Sequence, residues 1–284
     1  MPNGPGIVAD SSAAGLGMQL GEVWSSLADL GAQLSDADWS APTPCPGWAV
    51  SAQYAHIIGT ESSLLGRSTP SDVDAGSPDH VRNPMGEFNE IWVVALGRLP
   101  RPAVLEQFNE VTAARRHALS GMTEDDFAGP SWTPVGQADY RRFMQIRVFD
   151  CWAHEQDVRD AVGRPGHESG PAVEQSVDEI VRALGYLVGK KAAAPAGSSV
   201  RLEVVGPVTR RVDVAVIDGR ARVITGLDRA PTSTIALSSA ALTRLACGRI
   251  LPQRVLDGGE LGGVELSGDK VLGARVVETL PFTF

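Results

Sequence analysis

The chain has 284 residues, of which 43% are hydrophobic and 21% charged, and its formal net charge is −9 with a sequence pI near 5.1. A chain of this length and apolar content can bury hydrophobic cores, and its length fits two domains better than one. The acidic balance argues against a broad surface for nucleic acid or for anionic membranes, since such surfaces need clustered Lys and Arg.

The cysteines bear on the cellular compartment. Cys45, Cys151 and Cys247 are odd in number, lie far apart and form no CxxC motif. Neither a disulfide framework nor a thiolate zinc site is therefore indicated, and a reducing cytoplasm fits best. No apolar run approaches the roughly 20 residues of a membrane span, and the start, MPNGPGIVADSSAAG, lacks the basic and apolar regions of a signal peptide. We expect residues 1–15 to be a disordered tail and the protein to be a monomer or a weak homodimer.

The first half of the chain carries helical periodicity. The segment LGMQLGEVWSSLADLGAQLSDADW spaces its apolar residues at helical intervals and predicts an amphipathic helix, which PTPCPGW ends. Further helical stretches are predicted over about 47–66, over 87–121 with a kink or joint at Pro100 and Pro102, and over about 136–162. Helices of this length with short or looped joints suggest a four-helix bundle, whose core is a customary place for a metal or a ligand.

The second half changes from helical to strand periodicity. A helix is predicted over about 172–188, and the small residues and proline of GKKAAAPAGSS indicate a linker. Beyond it VRLEVV, RRVDVAVI and RARVIT alternate apolar and polar residues as half-buried antiparallel strands do, with a hairpin turn at Asp218 and Gly219. STIALSSAALTRLACGR indicates a strand that passes into a helix, and LSGDKVLGARVVETL a short turn and a last helix. The predicted architecture is a helical domain over 16–190, a linker over 191–199 and a smaller α+β domain over 200–284.

One helical segment, FDCWAHEQDV at 149–158, places charged residues within an apolar pattern. On an ideal helix of about 100° per residue, Arg147, Asp150, His154 and Asp157 fall in one narrow stripe with apolar residues on both sides. Such a stripe should face the bundle interior, where charges persist only if they are paired, hydrogen-bonded or bound to a metal. Asp150 and His154 project to the same side about one turn apart, so they can bind a single ion together.

His56, in SAQYAHIIGTESSLL, is the best candidate for a third ligand, because small residues such as Gly59 on its helix face leave room beside the imidazole. Two histidines and a carboxylate with an open fourth position are a common arrangement for catalytic zinc. The competing interpretation is a structural salt bridge or a hydrogen-bonded core pair between Asp150 and His154. Helical spacing alone supports that interpretation at least as well.

The remaining histidines and cysteines receive no site role from the sequence. His80, His117 and His167 fall in loop-like or exposed positions. Cys45 lies in the proline-containing turn and Cys151 on an apolar flank of its helix, so we interpret both as packing residues.

Two segments carry a family resemblance. LSDADWSAPTPCPGWAVSAQYAHIIGTE, followed by MQIRVFDCWAHEQDVRDAVG, resembles the mycothiol-dependent maleylpyruvate isomerase family of the DinB-like superfamily. The CPGW turn, the following His56 and the HxxDV ending are the specific parts, and the tail ending in LSGDKVLGARVV matches as well, so the resemblance covers nearly the whole chain. It implies a DinB-like four-helix bundle that binds a divalent metal, usually zinc, and a C-terminal domain that resembles sterol carrier proteins. It also implies the thiol cofactor mycothiol.

The resemblance also implies roles for particular residues. The family's metal ligands fall on His56, Asp150 and His154. Asp150 stands where the family usually has glutamate, and we expect metal binding to survive the loss of one methylene because aspartate ligates zinc well. Asp157 is expected to hold an imidazole N–H or the thiol cofactor, with a salt bridge as the alternative. Glu61 is a similar candidate for contact with the thiol cofactor, and its side chain is expected to point either at the cavity or at water.

The implied chemistry begins with a thiol that loses its proton on zinc. Attack of the thiolate on an electrophilic carbon gives either a thioether, as in an S-transferase, or an adduct whose double bond rotates before the thiol leaves, as in a cis-trans isomerase. We favour the transferase, because isomerisation of a dicarboxylate needs cationic groups near the metal. The candidates for these groups are Arg147 in the bundle and Arg249, which we expect to reach a cleft between domains.

Two alternatives remain open at this stage. A non-catalytic binding or regulatory protein can keep the same fold and hold a small apolar ligand in the C-terminal domain. Metal-assisted hydrolysis would use the same open position for water and predicts turnover without any thiol.

Overall fold

A computed structural model of the protein describes residues 5–283. The helices of this range are α1 Ala13–Gly31, α2 Asp36–Trp39, α3 Val50–Leu64, α4 Pro84–Gly97, α5 Arg101–Ser120, α6 Glu124–Ala128, α7 Tyr140–Val162, α8 Pro171–Tyr186, α9 Ser239–Ala246, α10 Pro252–Leu256 and α11 Lys270–Thr279. The strands are β1 Pro130–Thr133, β2 Gly136–Asp139, β3 Ser199–Val205, β4 Arg210–Ile217, β5 Arg220–Ile224, β6 Ser233–Ser238 and β7 Val264–Gly268. The described chain forms two compact units, Ser11–His167 and a second unit that contains residues 5–10 and 168–283.

Four long helices build the first unit. Helix α1 packs against α5 and α7, and α3 packs against the same two helices, while α4 lies against α3. The core side chains of α1, among them Leu20, Trp24 and Leu27, are completely buried, and each such burial stabilises the fold by roughly 1.5–3 kcal/mol. The predicted helical bundle is thus present. None of the helices in the described part of the chain is both long enough and apolar enough to cross a membrane.

Local sequence signals set the bounds of the helices that matter most for the site. Helix α7 begins where the Asp139 side chain accepts a hydrogen bond from the Arg142 backbone N–H at 2.7 Å, and it ends at Gly163 in the left-handed conformation. The predicted joint near Pro100 is a complete break, because α4 ends at Gly97 and α5 begins at Arg101. The expected helical start at 136 is wrong, since residues 136–139 pair with β1 as a short hairpin.

The second unit contains a five-stranded sheet in the order β5-β4-β3-β6-β7. The pair β3 and β6 is parallel, and the other pairs are antiparallel. Asp218 and Gly219 join β4 to β5 with φ values of +49° and +73°, as the predicted hairpin turn requires. The predicted strand and helix after residue 232 are β6 and α9, whereas the predicted short turn near residue 267 is part of the edge strand β7.

The boundary between the units lies earlier in the chain than the sequence suggests. Helix α8 was expected in the helical domain, but it packs on β4 and β5, and its residues Ile180 and Val181 are buried. The predicted linker therefore joins the π-helical turn Leu187–Lys191 to β3 within one unit. The predicted disordered tail also differs, because α1 begins at Ala13 and the N–H groups of Val8 and Ala9 donate to Asp178 at 2.9 and 2.7 Å. Residues 1–4 of that tail lie outside the described residues.

Candidate metal centre

The CPGW turn leads into helix α3 with a defined geometry. The backbone N–H of Trp48 donates to the Cys45 carbonyl at 3.1 Å, and Gly47 has a φ of +81°. Pro46 and Gly47 thus occupy the central positions of a β-turn, where type II turns favour proline and a residue of positive φ. A Cβ at Gly47 would also lie 2.3 Å from Nδ1 of His80. Glycine is therefore required here for both conformation and space.

His56 from α3 and Asp150 and His154 from α7 converge on one point. Nε2 of His56 lies 3.0 Å from Oδ2 of Asp150, and Nε2 of His154 lies 3.6 Å from Oδ1 of the same carboxylate. One donor atom from each residue falls within 4.8 Å of the others. The two imidazole rings meet edge to face with their centroids 4.7 Å apart. Both histidines are buried, whereas the Asp150 side chain is 30% exposed, so the carboxylate is the member with access to solvent.

The protonation of these groups follows from burial and from their mutual contacts. Burial lowers the pKa of His56, and this effect exceeds the opposing influence of the Asp150 carboxylate. Burial acts in the same direction on His154, but the carboxylates of Asp150 and Asp157 outweigh it and raise the pKa. Burial would raise the pKa of Asp150, yet His56, Arg147 and His154 together hold it well below 3.8. Asp150 is therefore a carboxylate at neutral pH.

A buried ion-pair network holds Asp150 from the other side. Arg147 donates from Nη1 to Oδ2 of Asp150 and, at 2.8 Å, from Nη2 to Glu61. Arg115 donates from Nε to the other oxygen of Glu61 at 2.8 Å. Glu61 is completely buried, so the two guanidinium groups compensate its charge. The alternative that Glu61 points at water is wrong, while a role with the thiol cofactor stays a prediction.

Asp157 lies one turn beyond His154 and is also buried. Its Oδ2 is 3.4 Å from Nδ1 of His154, the ring nitrogen opposite the one that faces Asp150. A carboxylate in this position fixes the orientation and the tautomer of an imidazole. Asp157 thus lies beside this imidazole, and its expected roles toward the imidazole N–H and the thiol cofactor both stay predictions.

The residues present fit a divalent ion. Tetrahedral zinc with metal–nitrogen and metal–oxygen distances near 2.1 Å needs donors about 3.4 Å apart, and the two imidazole-to-carboxylate distances of 3.0 and 3.6 Å lie on either side of this value. The fit rests on this donor set, since one ligand atom from each of the three residues lies within 4.8 Å of the others.

Comparison with known proteins assigns the helical unit. Residues 20–159 match the family model of the mycothiol maleylpyruvate isomerase N-terminal domain. The chain belongs to the mycothiol-dependent maleylpyruvate isomerase family. Every residue of the centre that His56, Asp150 and His154 form lies within the matched range.

Two curated relatives are similar to part of the chain. Two uncharacterized proteins of Mycobacterium tuberculosis, MT0041 of strain CDC 1551 and Rv0036c of strain H37Rv, are each 29% identical over 155 residues. The match covers 48% of this chain and 56% of either relative. The chain thus spans about half the length of the curated relatives it matches.

Solved structures support the overall fold of the family. The crystal structure of the mycothiol-dependent maleylpyruvate isomerase, and that of a histidine-to-alanine mutant of it, each match with a TM-score of 0.55 at 17% identity. Each match covers 90% of this chain and 92% of the other. At this identity the likeness concerns the fold, a helical domain followed by a domain with a sheet. The DinB-like and sterol-carrier-like descriptions of these domains stay predictions.

Further residues, to which the sequence gives no site role, lie around the metal centre. The Trp48 ring lies 5.3 Å from the His56 ring and 5.6 Å from the His154 ring. Its Nε1 donates to Glu90 at 3.1 Å, and Nε2 of His80 lies 3.0 Å from the same Glu90 oxygen. His80, predicted to be exposed, is thus a half-buried partner in this chain of contacts. Because His80 lies in the loop before α4, helical spacing along the sequence gives no sign of this contact.

Two further predicted residues lie elsewhere. Gly59 does make room, but for Trp92, because a Cβ there would lie 2.4 Å from the indole ring. Arg249 belongs to the second unit, just after α9, and donates to the Cys247 carbonyl at 2.8 Å. Its action at a cleft between domains stays a prediction.

Proposed function

We propose that this family member is a metal-dependent enzyme that uses mycothiol as its thiol cofactor and acts on a small electrophile. The observation that carries the proposal is the convergence of His56 and His154 on the Asp150 carboxylate, with both imidazoles buried and the carboxylate open to solvent. This donor set is common for zinc with an open fourth position.

His56, Asp150 and His154 would hold the ion. A divalent ion in this place supplies the positive charge that lets a thiol lose its proton at neutral pH. The chain's own residues provide the orientation. Arg147 fixes the Asp150 carboxylate, and Asp157 lies behind the imidazole of His154. A ligand set restrained in this way pays little reorganisation when its ion binds.

Arg147 acts in this proposal through Asp150 and not on the substrate. Its side chain is 4% exposed, and its guanidinium donates to Glu61, Asp150 and Cys151. Arg115 is 2% exposed and donates to Glu61 and to the Tyr140 hydroxyl. Neither guanidinium is therefore placed to receive a substrate dicarboxylate. For this reason we favour S-transfer, with a thioether as product, over isomerisation of a dicarboxylate.

Cis-trans isomerisation is the second candidate, because the matched domain and the similar solved structures carry that activity in their names. In that case a cationic side chain other than Arg115 and Arg147 would bind the anionic substrate. Arg249 is the candidate from the sequence. An Arg249→Gln variant would then lose turnover of anionic substrates while keeping turnover of neutral ones.

One assay separates these reactions. Zinc-loaded protein is incubated with small neutral and anionic electrophiles, with and without mycothiol, and the products are identified by mass spectrometry and NMR. S-transfer gives a thioether and consumes thiol, isomerisation returns the thiol with a rearranged substrate, and hydrolysis proceeds without thiol. The proposal expects thiol-dependent products that are lost in His56→Ala. Tight binding of small apolar ligands without turnover by the loaded protein would favour the non-catalytic alternative instead.

A further inference from the structure

A second group of possible ligands stands directly beside the first. Donor atoms of Cys45, His154 and Asp157 all lie within 4.8 Å of one another. His154 belongs to both groups. Its Nε2 faces Asp150 at 3.6 Å, and its Nδ1 faces Asp157 at 3.4 Å. The two nitrogens of one imidazole therefore point to two separate carboxylates.

We propose that Cys45, His154 and Asp157 form a second cation site, for a thiophilic divalent ion, that shares the imidazole of His154 with the first site. Thiolate, imidazole and carboxylate are all ligands of zinc, and the thiolate biases the site toward soft ions. Filling both sites uses both ring nitrogens of His154, so the ring must release its N–H proton to solvent and bridge the two ions as an imidazolate. The Cys45 thiol also releases its proton, and the thiolate and the Asp157 carboxylate together neutralise the second divalent ion. Three protein ligands leave one position for water or for a second thiol.

The turn geometry explains how a cysteine reaches this place. Cys45 opens the β-turn whose Gly47 has a φ of +81°, and Thr43 holds the turn by donating to the Trp48 carbonyl at 2.8 Å and accepting from the Cys45 N–H at 3.2 Å. Gln53 of helix α3 donates to the same hydroxyl at 2.8 Å, which fixes the turn to the helix that carries His56. The cysteine is half-buried. Its thiol is thus held on a rigid turn and is not sealed in the core as Cys151 is.

The two sites are expected to fill in order. A cation in the second site would lie across one imidazole ring from a cation in the first. Repulsion between the two positive ions lowers the affinity of the second site. The second site is therefore the weaker one, and it requires His154 but not His56. This difference separates the second site from the centre on which the proposed function rests.

Titration of metal-free, reduced protein with Co²⁺ tests the inference, because a thiolate ligand adds an intense near-ultraviolet charge-transfer band that nitrogen and oxygen donors lack. We expect two equivalents to bind, with the band growing only during the second. The Cys45→Ser variant should bind one equivalent without the band. The matched control Cys247→Ser, which changes a cysteine of the other unit, should behave as the parent, and circular dichroism checks that both variants are folded.

Several results would overturn the second site. Absence of the band in the parent, its persistence in Cys45→Ser, or its appearance with the first and only equivalent would each do so. If one equivalent of Co²⁺ binds without a band and is lost in His56→Ala, the first metal site of the proposed function is supported and the second site is rejected. If His56→Ala keeps one equivalent that carries the band, the second site stands independently of the first.

Discussion

Helix α7 carries two groups of charged residues that differ in the access of their central carboxylate to solvent, since the Asp150 side chain is 30% exposed and that of Glu155 is completely buried. Glu155 accepts hydrogen bonds from Ser26 at 2.6 Å and Arg159 at 2.8 Å, and its other oxygen lies 2.7 Å from Nδ1 of His167. The opposite nitrogen of His167 lies 3.2 Å from Glu22. Every oxygen of Glu155 and both nitrogens of His167 thus have a partner within the protein.

The other group is built from the same residue types but is arranged differently. Two imidazoles approach the single carboxylate of Asp150, whose side chain is 30% exposed. Buried charge alone therefore does not mark a functional site. Two imidazoles that converge on one solvent-accessible carboxylate mark such a site more specifically.

Removal of the Glu155 charge should give the largest change in stability. In Glu155→Gln the guanidinium of Arg159 and the imidazole of His167 lose their common carboxylate, and breaking such a buried pair costs about 3–5 kcal/mol. Urea denaturation monitored by circular dichroism measures the loss. The control Glu110→Gln, whose carboxylate pairs with Arg67 at the surface, should change the free energy of unfolding by about 1 kcal/mol or less. Loss of the bound ion in Glu155→Gln, with the fold intact, would break the distinction between the two groups.

A change in the CPGW turn should affect the metal centre and spare the Glu155 group. Gly47→Ala forces an unfavourable positive φ and a clash with His80, which together cost about 1–3 kcal/mol. The Trp48 ring moves with the turn, so metal affinity falls as well. The matched control is Gly66→Ala, which also has a positive φ but no atom within 4 Å of the added Cβ. It should lose stability alone, and equal metal affinity in the parent and Gly47→Ala would contradict the role of the turn.

The Glu155 group should also give a pH dependence of stability. Burial lowers the pKa of His167, but Glu155 and Glu22 outweigh it, so the folded pKa lies above 6.5. A raised pKa stabilises the fold fully below the unfolded pKa and loses this contribution as pH rises through the folded pKa. The stability difference between the parent and His167→Gln should therefore be largest below pH 6.5 and shrink above it. A difference that grows with pH would show that the imidazole is held in its neutral form.

The smallest effect is expected for Asp150→Glu. Glutamate restores the residue usual in the family and reaches one methylene further toward the imidazoles, so the ion should be retained with equal or higher affinity. Competition with a chromophoric chelator measures the change. Asp150→Asn is the matched control, because it keeps the size of the side chain and removes its charge, and it should weaken binding strongly.

The sequence predicts the main elements well where periodicity is strong. The stripe of α7, the helix of His56 and the hairpin at Asp218 all follow from local patterns, and the structure contains them. The placement of Asp150 and His154 on one helix face could also be predicted, because spacing along a helix fixes which side chains share a face.

Other features depend on tertiary packing and have no local signal. Cys45 approaches His154 only because a turn and two helices meet, and no spacing along the chain encodes that distance. Helix α8 has the same amphipathic pattern as a bundle helix, and only the sheet that it covers reveals to which unit it belongs. The hairpin of β1 and β2 and the edge strand β7 are short and mostly exposed, so their alternation is too weak to read.

The most direct test of the metal centre is the metal content per chain, measured by elemental analysis after purification without added metal and extensive dialysis. The parent should hold about one tightly bound divalent ion per chain. His56→Ala and His154→Ala should each lose it, since two protein ligands rarely hold zinc. A parent that holds no ion even after reconstitution, or a His154→Ala variant that binds as tightly as the parent, would make His56, Asp150 and His154 a structural salt-bridge group like that of Glu155.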